Sequence, residues 1–381
     1  MYHQFMNQSL FSPLKISGRE LKNRVIAEIP SSFLANEAGD LTQDMIDYYE
    51  RIAATNVSMV ITEPFAVDKN RLFAKQPGIS NTGGIFSLSR ISERIRAHKA
   101  IPILQLFHPG INAKPETGLN YVYGPARFKH SRLKAEVRQY DFKQIAAISG
   151  LHIDAAISAW NSGYSGIEVN GADGGLIQQF LSPITNLRAD DYGYKGQRGE
   201  KLALEIVKAI RKTLPDFLII FKLSTRDLLP GGRMLKEAIN LAMALENAGV
   251  DMIHVTAGFT IGKVDYAFPT GRTVANAPFA PDCAFLKKHL KIPLILSGKI
   301  ALPGLAEEII RTENADVVSL GRALNRDLGW VNIAAMNSEH VKVRECKRCP
   351  NCSAASTGCP DMKGYAFWKL DLDKHLIRRK P

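Results

Sequence analysis

The stretch PLILSGKIALPGLAEEIIRTENADVVSLGR, residues 293–322, holds two short apolar runs, Pro293 to Ser297 and Val317 to Leu320, separated by a helical pattern. Short, nearly continuously apolar runs read as strands buried on both faces, and a helical segment between two of them reads as the crossover of a parallel βαβ unit. Each run closes on a glycine beside a cation, Ser297-Gly298-Lys299 in the first and Gly321-Arg322 in the second.

The same alternation continues outward to the N-terminus. Further strand candidates are Arg24 to Ile29, Val57 to Glu63, Ile101 to Phe107, Gly166 to Asn170, Leu218 to Leu223 and Met252 to Thr256. Helical patterns include Gln43 to Ala54, Phe142 to Asn161, Lys201 to Lys212 and Leu235 to Asn247. Eight strands with eight crossovers close into a barrel more naturally than they spread as a doubly wound sheet. No Gly-x-Gly-x-x-Gly follows the first strand, which argues against a classical dinucleotide fold. The expected fold is α/β: a (β/α)8 TIM barrel over residues 1–338, followed by a short cysteine-rich C-terminal extension over residues 339–381. A chain of 381 residues is within the range of such barrels as one domain.

Hydrophobic residues make up 45% and charged residues 23% of the chain, an ordinary globular balance, and no window approaches the apolar run of a membrane span. Met1-Tyr2-His3-Gln4-Phe5 lacks the features of a secretory signal. The expectation is a cytoplasmic protein with no membrane association. A net charge of +12 suits anionic partners such as cofactor phosphates, a pyridine nucleotide, a coenzyme A thioester or nucleic acid, but solvated lysines on helix faces account for it equally well.

In a barrel, chemistry sits at the C-terminal ends of the strands. Those ends collect Gln105 and His108 after strand three, Glu168, Asn170 and Asp173 around strand four, and Lys222 in strand five. Each alone reads equally well as a solvated rim residue. Together, an amide and a cation on neighbouring strands suit an electron-rich planar ring, with the cation stabilising the negative charge of a reduced form. Ser297, Gly298, Lys299, Gly321 and Arg322 lie in the two loops where barrels build phosphate sites, since glycine lets backbone N–H groups approach an anion and arginine contacts phosphate as a fork.

At these residues the sequence resembles the old yellow enzyme family, with its ene-reductase and 2,4-dienoyl-CoA reductase branches. The matching segments are Leu21-Lys22-Asn23-Arg24-Val25, Gln105-Leu106-Phe107-His108-Pro109-Gly110, Gly163-Tyr164-Ser165-Gly166-Ile167-Glu168-Val169, and Gln179-Phe180-Leu181-Ser182-Pro183. Thr185-Asn186, Arg188, Asp190-Asp191-Tyr192-Gly193, Arg198 and Asp316 to Arg322 complete the series. The resemblance implies an FMN barrel in which NADH or NADPH delivers hydride to flavin N5 and the reduced flavin passes it to an acceptor. By position it implies that Gln105 bonds the pyrimidine edge and that Lys222 lies near N1 and O2. It likewise implies that Ser31 lies near O4, and that Ser297 to Lys299 with Gly321-Arg322 bind the phosphate.

The departures concern the substrate. Family members carry His, then His or Asn three residues on, then a proton-donating Tyr two residues further; here these places hold Asn170, Asp173 and Gly175. Asn170 can donate a hydrogen bond to a carbonyl, whereas ionised Asp173 is acceptor-only and Gly175 supplies no proton. Tyr121, Tyr123, Tyr266 and water are the alternative proton sources. The expected function is reduction of an activated C=C bond of an unsaturated carbonyl or thioester by an FMN-dependent NAD(P)H oxidoreductase. The alternatives are a flavin dehydrogenase of a cationic amine, favoured by Asp173, and a non-catalytic flavin or nucleotide binder. The tRNA dihydrouridine synthases, also basic FMN barrels, need an RNA-binding extension and a catalytic loop cysteine, and neither is found. The expected partner is therefore a small molecule and no nucleic acid, with a homo-oligomer left open.

Cys346, Cys349, Cys352 and Cys359, the last followed by Pro360, fall close together in the tail. Thiolates on close turns converge on one metal, and the density suits a [4Fe-4S] cluster or zinc. The six residues before the last cysteine depart from a ferredoxin run, and the dienoyl-CoA reductase branch uses wider spacings. A [4Fe-4S] cluster, zinc and metal-free thiols all stay open.

Overall fold

The computed structural model describes residues 9–68, 75–79, 84–115, 118–129, 133, 135–194, 199–262, 264–265, 275–336, 342–346 and 359. Eight strands form the barrel: β1 Val25–Glu28, β2 Met59–Ile61, β3 Ile101–Phe107, β4 Gly166–Gly171, β5 Leu218–Ser224, β6 Met252–Thr256, β7 Leu294–Leu296 and β8 Val317–Leu320, with a two-residue ninth strand, Phe65–Ala66, joining the same sheet beside β3. Each barrel strand pairs in parallel with the next in sequence. The pairing of β8 with β1, Leu320 opposite Ala27, closes the ring. Helices α1 Gln43–Ala53, α2 Gly84–Ala97, α3 Phe142–Asn161, α4 Leu176–Leu181, α5 Lys201–Thr213 and α6 Leu235–Asn247 follow the strands in turn, as do α7 Ala280–Lys287, α8 Pro303–Arg311, α9 Arg322–Arg326 and α10 Trp330–Met336. The (β/α)8 barrel expected from the sequence is the fold, with strand ends shifted by no more than two residues.

Side chains on a strand alternate between faces, and here the two faces see different surroundings. Along β5, Ile219, Phe221 and Leu223 join the apolar layer shared with the helices. Leu218 and Ile220 point into the barrel, where Ile26, Met59, Ile61, Ile103, Met252, Ile295 and Val317 meet them. This inner cluster is capped from below by Ile16 and Leu21, which belong to a hairpin pairing Leu14–Ile16 with Arg19–Leu21. Its two-residue turn, Ser17-Gly18, has φ of 44° and 76°, the doubly positive conformation that matches strand twist and favours glycine at one position. Each aliphatic side chain buried in this floor contributes about 1.5–3 kcal/mol.

Above the opposite end, three loops are tied together. Asn112 donates to the carbonyls of Gly174 and Thr260, both at 2.9 Å, and accepts from the Gly262 amide at 2.8 Å. Thus the segments after β3, β4 and β6 share one anchor. Beneath them Ile111, Val122, Val137, Phe259 and Ile261 form a satellite apolar cluster.

The C-terminal part of the barrel is locked by Trp330, whose indole N–H donates to the Ala301 carbonyl at 2.8 Å. The boundary expected at residue 338 lies outside the described residues, as do Cys349 and Cys352. Cys346 and Cys359 are free and partly exposed, with Arg326 Nη1 3.8 Å from Cys359 Sγ. Among the described residues, no helix is long and apolar enough to cross a membrane.

Candidate active site

One step above the apolar floor, the inward positions turn polar. Ile26 is followed two residues on by Glu28, Ile103 by Gln105, Gly166 by Glu168 and Asn170, Ile220 by Lys222, Met252 by His254 and Val317 by Ser319. The strands therefore remain buried on both faces, but the inner face is apolar only over its lower half. Parallel register sets the heights: Gln105 lies opposite Glu168, and Lys222 lies opposite both Asn170 and His254.

These side chains form a closed ring of contacts. Gln105 Nε2 donates to Glu168 Oε1 at 2.7 Å, and His254 Nδ1 lies 2.7 Å from Glu168 Oε2. His254 Nε2 faces Glu28 Oε2 at 3.6 Å. Lys222 Nζ donates to Glu28 Oε1 and, at 2.6 Å, to Asp173 Oδ2. Asn170 Nδ2 then donates to Asp173 Oδ2 and to Gln105 Oε1, both at 3.0 Å, which completes the circuit.

Charge balance explains why a buried ring of this kind holds. Burial alone would lower the Lys222 pKa, but Asp173, Glu28 and Glu168 more than offset it and keep the ammonium charged. For Asp173, burial raises the pKa, while Lys222 and the Asn170 hydrogen bond outweigh it and keep the carboxyl ionised. Burial would likewise lower the His254 pKa, and Glu168 and then Glu28 raise it above the ordinary value. A charged imidazole donates from both nitrogens, which suits a ring lying between two carboxylates. Asp173 is held at φ 55°, a left-handed conformation uncommon for residues other than glycine, asparagine and aspartate. Its two hydrogen bonds fix it there.

The predicted residues Gln105, Asn170, Asp173 and Lys222 are thus brought into direct contact. Both hydrogens of the Asn170 amide are engaged within the ring, so a substrate carbonyl reaching Asn170 must displace one of them. Glu28 and His254 escaped the sequence reading. The signal for them was the two-residue spacing from Ile26 and Met252, which puts them on the inner face once the strands are known.

Ser31 is exposed on the loop after β1. Its neighbour Ser32 anchors that loop by donating to Glu63 from its amide at 2.9 Å and its hydroxyl at 2.6 Å. Tyr49 of α1 also donates to Glu63, at 3.3 Å. Burial raises the Glu63 pKa to about 7, although the hydrogen bonds from Ser32 and Tyr49 act in the opposite direction.

The paired ends of β7 and β8 bring Ser297-Gly298-Lys299 next to Gly321-Arg322. Ser297 Oγ donates to the Val255 carbonyl at 3.1 Å. Gly298 and Lys299 have φ of 105° and 54°, a left-handed stretch in the loop after β7. A Cβ on Gly298 would lie 3.0 Å from the Phe279 ring, and one on Gly321 would lie 3.0 Å from the Glu28 carbonyl oxygen. Inside the mouth, Thr256 Oγ1 and Ser319 Oγ are buried hydroxyls with no hydrogen-bond partner among the described residues. Open hydroxyls, an amide, an ammonium and a neighbouring glycine cradle are a donor set that fits FMN.

Gly175 caps the N-terminus of α4, and a Cβ there would lie 2.6 Å from the Phe107 ring. A tyrosine at this place collides with Phe107, which explains glycine structurally. Tyr123 stacks on Tyr140 with ring centroids 5.1 Å apart, and Arg138 covers the Tyr121 ring at 3.6 Å. Tyr266 and Arg198 fall outside the described residues.

The sequence profile of the NADH:flavin oxidoreductase / NADH oxidase family matches residues 9–340. An NADH oxidase from Thermoanaerobacter brockii is 31% identical over 369 residues, covering 96% of this chain and 55% of the relative. The chain therefore spans about half the length of this curated relative. An NADPH dehydrogenase from Halalkalibacterium halodurans is 29% identical over 333 residues, covering 87% of this chain and 95% of that protein. The structure of an old yellow enzyme homologue from Zymomonas mobilis superposes with a TM-score of 0.76 at 19% identity, covering 95% of this chain and 99% of the other, and shares the barrel. The chain belongs to the NADH:flavin oxidoreductase / NADH oxidase family.

Proposed function

We propose that this chain is an NAD(P)H-dependent FMN oxidoreductase that reduces an activated C=C bond of an unsaturated carbonyl or thioester. The observation that carries the reading is the ring joining Gln105, Asn170, Asp173 and Lys222 at the barrel mouth. FMN, when bound, would supply the two-electron hydride chemistry that links the nicotinamide to the alkene.

The residues do the rest. Lys222 has three N–H donors, two of them given to Glu28 and Asp173, and the third is available to the pyrimidine edge. Gln105 is locked at both ends of its amide by Glu168 and Asn170, so a contact with that edge would require exchanging one of these bonds. Gly298, Lys299, Gly321 and Arg322 would hold the phosphate, and Ser31 lies beside the Glu63-anchored turn. Asn170 would orient the substrate carbonyl. Asp173 is an acceptor and glycine at position 175 has no proton to give, so the alkene proton would come from Tyr121, Tyr123, Tyr266 or water.

The same acceptor supports a second reading, oxidation of a cationic amine. A carboxylate kept ionised at the mouth attracts an ammonium group.

An anaerobic absorption spectrum of the purified protein, before and after NADH or NADPH, tests the flavin, with iron and zinc measured on the same sample. Flavin bands that bleach with nicotinamide and return with an α,β-unsaturated carbonyl compound are expected. Return with no alkene, but bleaching by an aliphatic amine, would move the assignment to the second reading. About four irons per chain with broad visible absorbance would assign the cysteine tail to a [4Fe-4S] cluster. Absence of flavin after reconstitution with FMN defeats both readings.

A further inference from the structure

Lys222 touches both Glu28 and Asp173 in the ring, and its usefulness to a flavin lies in offering positive charge where negative charge accumulates on reduction. The structure places that charge between two carboxylates. Asp173 lies on the mouth side, in the loop after β4, and Glu28 approaches from β1 on the far side of the barrel. Both are largely enclosed, with side chains 28% and 18% exposed, so salt screens them little.

Positioning does not require both partners. Lys222 rises from the middle of β5 with its side chain 7% exposed, and Asp173 already fixes the ammonium from the loop. Glu28 adds a second negative charge. His254 offsets it incompletely, for its short contact is with Glu168 at 2.7 Å and it stands 3.6 Å from Glu28. The ring therefore sets three carboxylates, Glu28, Glu168 and Asp173, against the Lys222 ammonium and the His254 imidazolium.

We propose that Glu28 is a tuning residue that cancels the charge of Lys222 and thereby lowers the electron affinity of the flavin held at this mouth. The proposal rests on the reading of the mouth as an FMN site. It gives the enzyme a strongly reducing flavin that passes hydride readily to its acceptor and resists anionic adducts.

The test uses the FMN-loaded protein and sulfite, whose sulfur lone pair adds to flavin N5 and leaves an anionic ring. Glu28→Gln keeps an oxygen facing Lys222 and removes the charge. A buried unit charge acts over several ångströms, so sulfite should bind about tenfold tighter or more in the variant. The two-electron midpoint potential should rise by about 30 mV for each such tenfold change. Unchanged affinity and potential would overturn the proposal. Weaker sulfite binding with a lower potential would overturn it too, by showing that Glu28 serves only to place Lys222. Should Glu28→Gln fail to fold, the wild-type protein decides: its bound flavin must have a more negative potential than free FMN in the same buffer, and a more positive one refutes the tuning role. A wild-type chain that takes up no FMN at all would instead sink the site reading itself.

Discussion

The lower and upper halves of the barrel are built from the same eight strands, yet they are held together differently. In β5, Ile220 and Lys222 are two residues apart on one inner face. Ile220 is buried among aliphatic side chains, where stability comes from area removed from water and any well-packed apolar residue serves. Lys222 is nearly as buried but depends on two named carboxylates. A buried charge pair contributes little net stability, and losing one partner is costly. The floor thus carries stability and the mouth carries chemistry. Two residues along a strand, about 7 Å of rise, separate the two roles.

That contrast is open to attack by substitution. Ile220→Ala should destabilise the protein by about 2–5 kcal/mol in urea unfolding, because it leaves a cavity in the floor. FMN content and the rate of flavin reduction should stay near wild type; a loss of flavin reactivity comparable to the loss of stability would erase the distinction. Lys222→Met should slow flavin reduction by NADH or NADPH by about a hundredfold in stopped-flow measurements. Its unfolding free energy should fall as well, because Glu28 and Asp173 are left buried without their partner, so the flavin readout is what separates the two variants.

Glu63 sharpens the comparison at the edge of the mouth. Its folded pKa of about 7 lies above its ordinary value of 4.5, so the folded state binds this proton more tightly. The stability it contributes is fully present below the unfolded value and is lost as pH rises through about 7. Unfolding of the wild type at about pH 5.5 and about pH 8 should therefore include a difference on the order of 2 kcal/mol that Glu63→Gln abolishes. An unchanged pH dependence in the variant would place the ionisation elsewhere.

Much of the site was legible before the fold was known. Gln105, Asn170, Asp173 and Lys222 stand at strand ends that periodicity alone locates, and they do converge. Their contacts were not legible. Asn170 was expected to reach a substrate carbonyl, but its amide closes a ring with Gln105 and Asp173. Lys222 was read as a cation facing the cofactor, whereas its nearest partner in β1 is 194 residues away in sequence. His254 and Glu168, 86 residues apart, illustrate the same limit. The Ser17-Gly18 hairpin was not read from the sequence, and its task of closing the barrel floor appears only when Ile16 and Leu21 meet the lower ends of the strands.

The sequence by itself determined the eightfold alternation of strand and helix and the family, because these depend on local periodicity and on ordered motifs. Only the tertiary structure decided how the charges cancel. Coulomb interaction depends on distance in space, and barrel closure alone brings Glu28 of the first strand up to Lys222 of the fifth and His254 of the sixth.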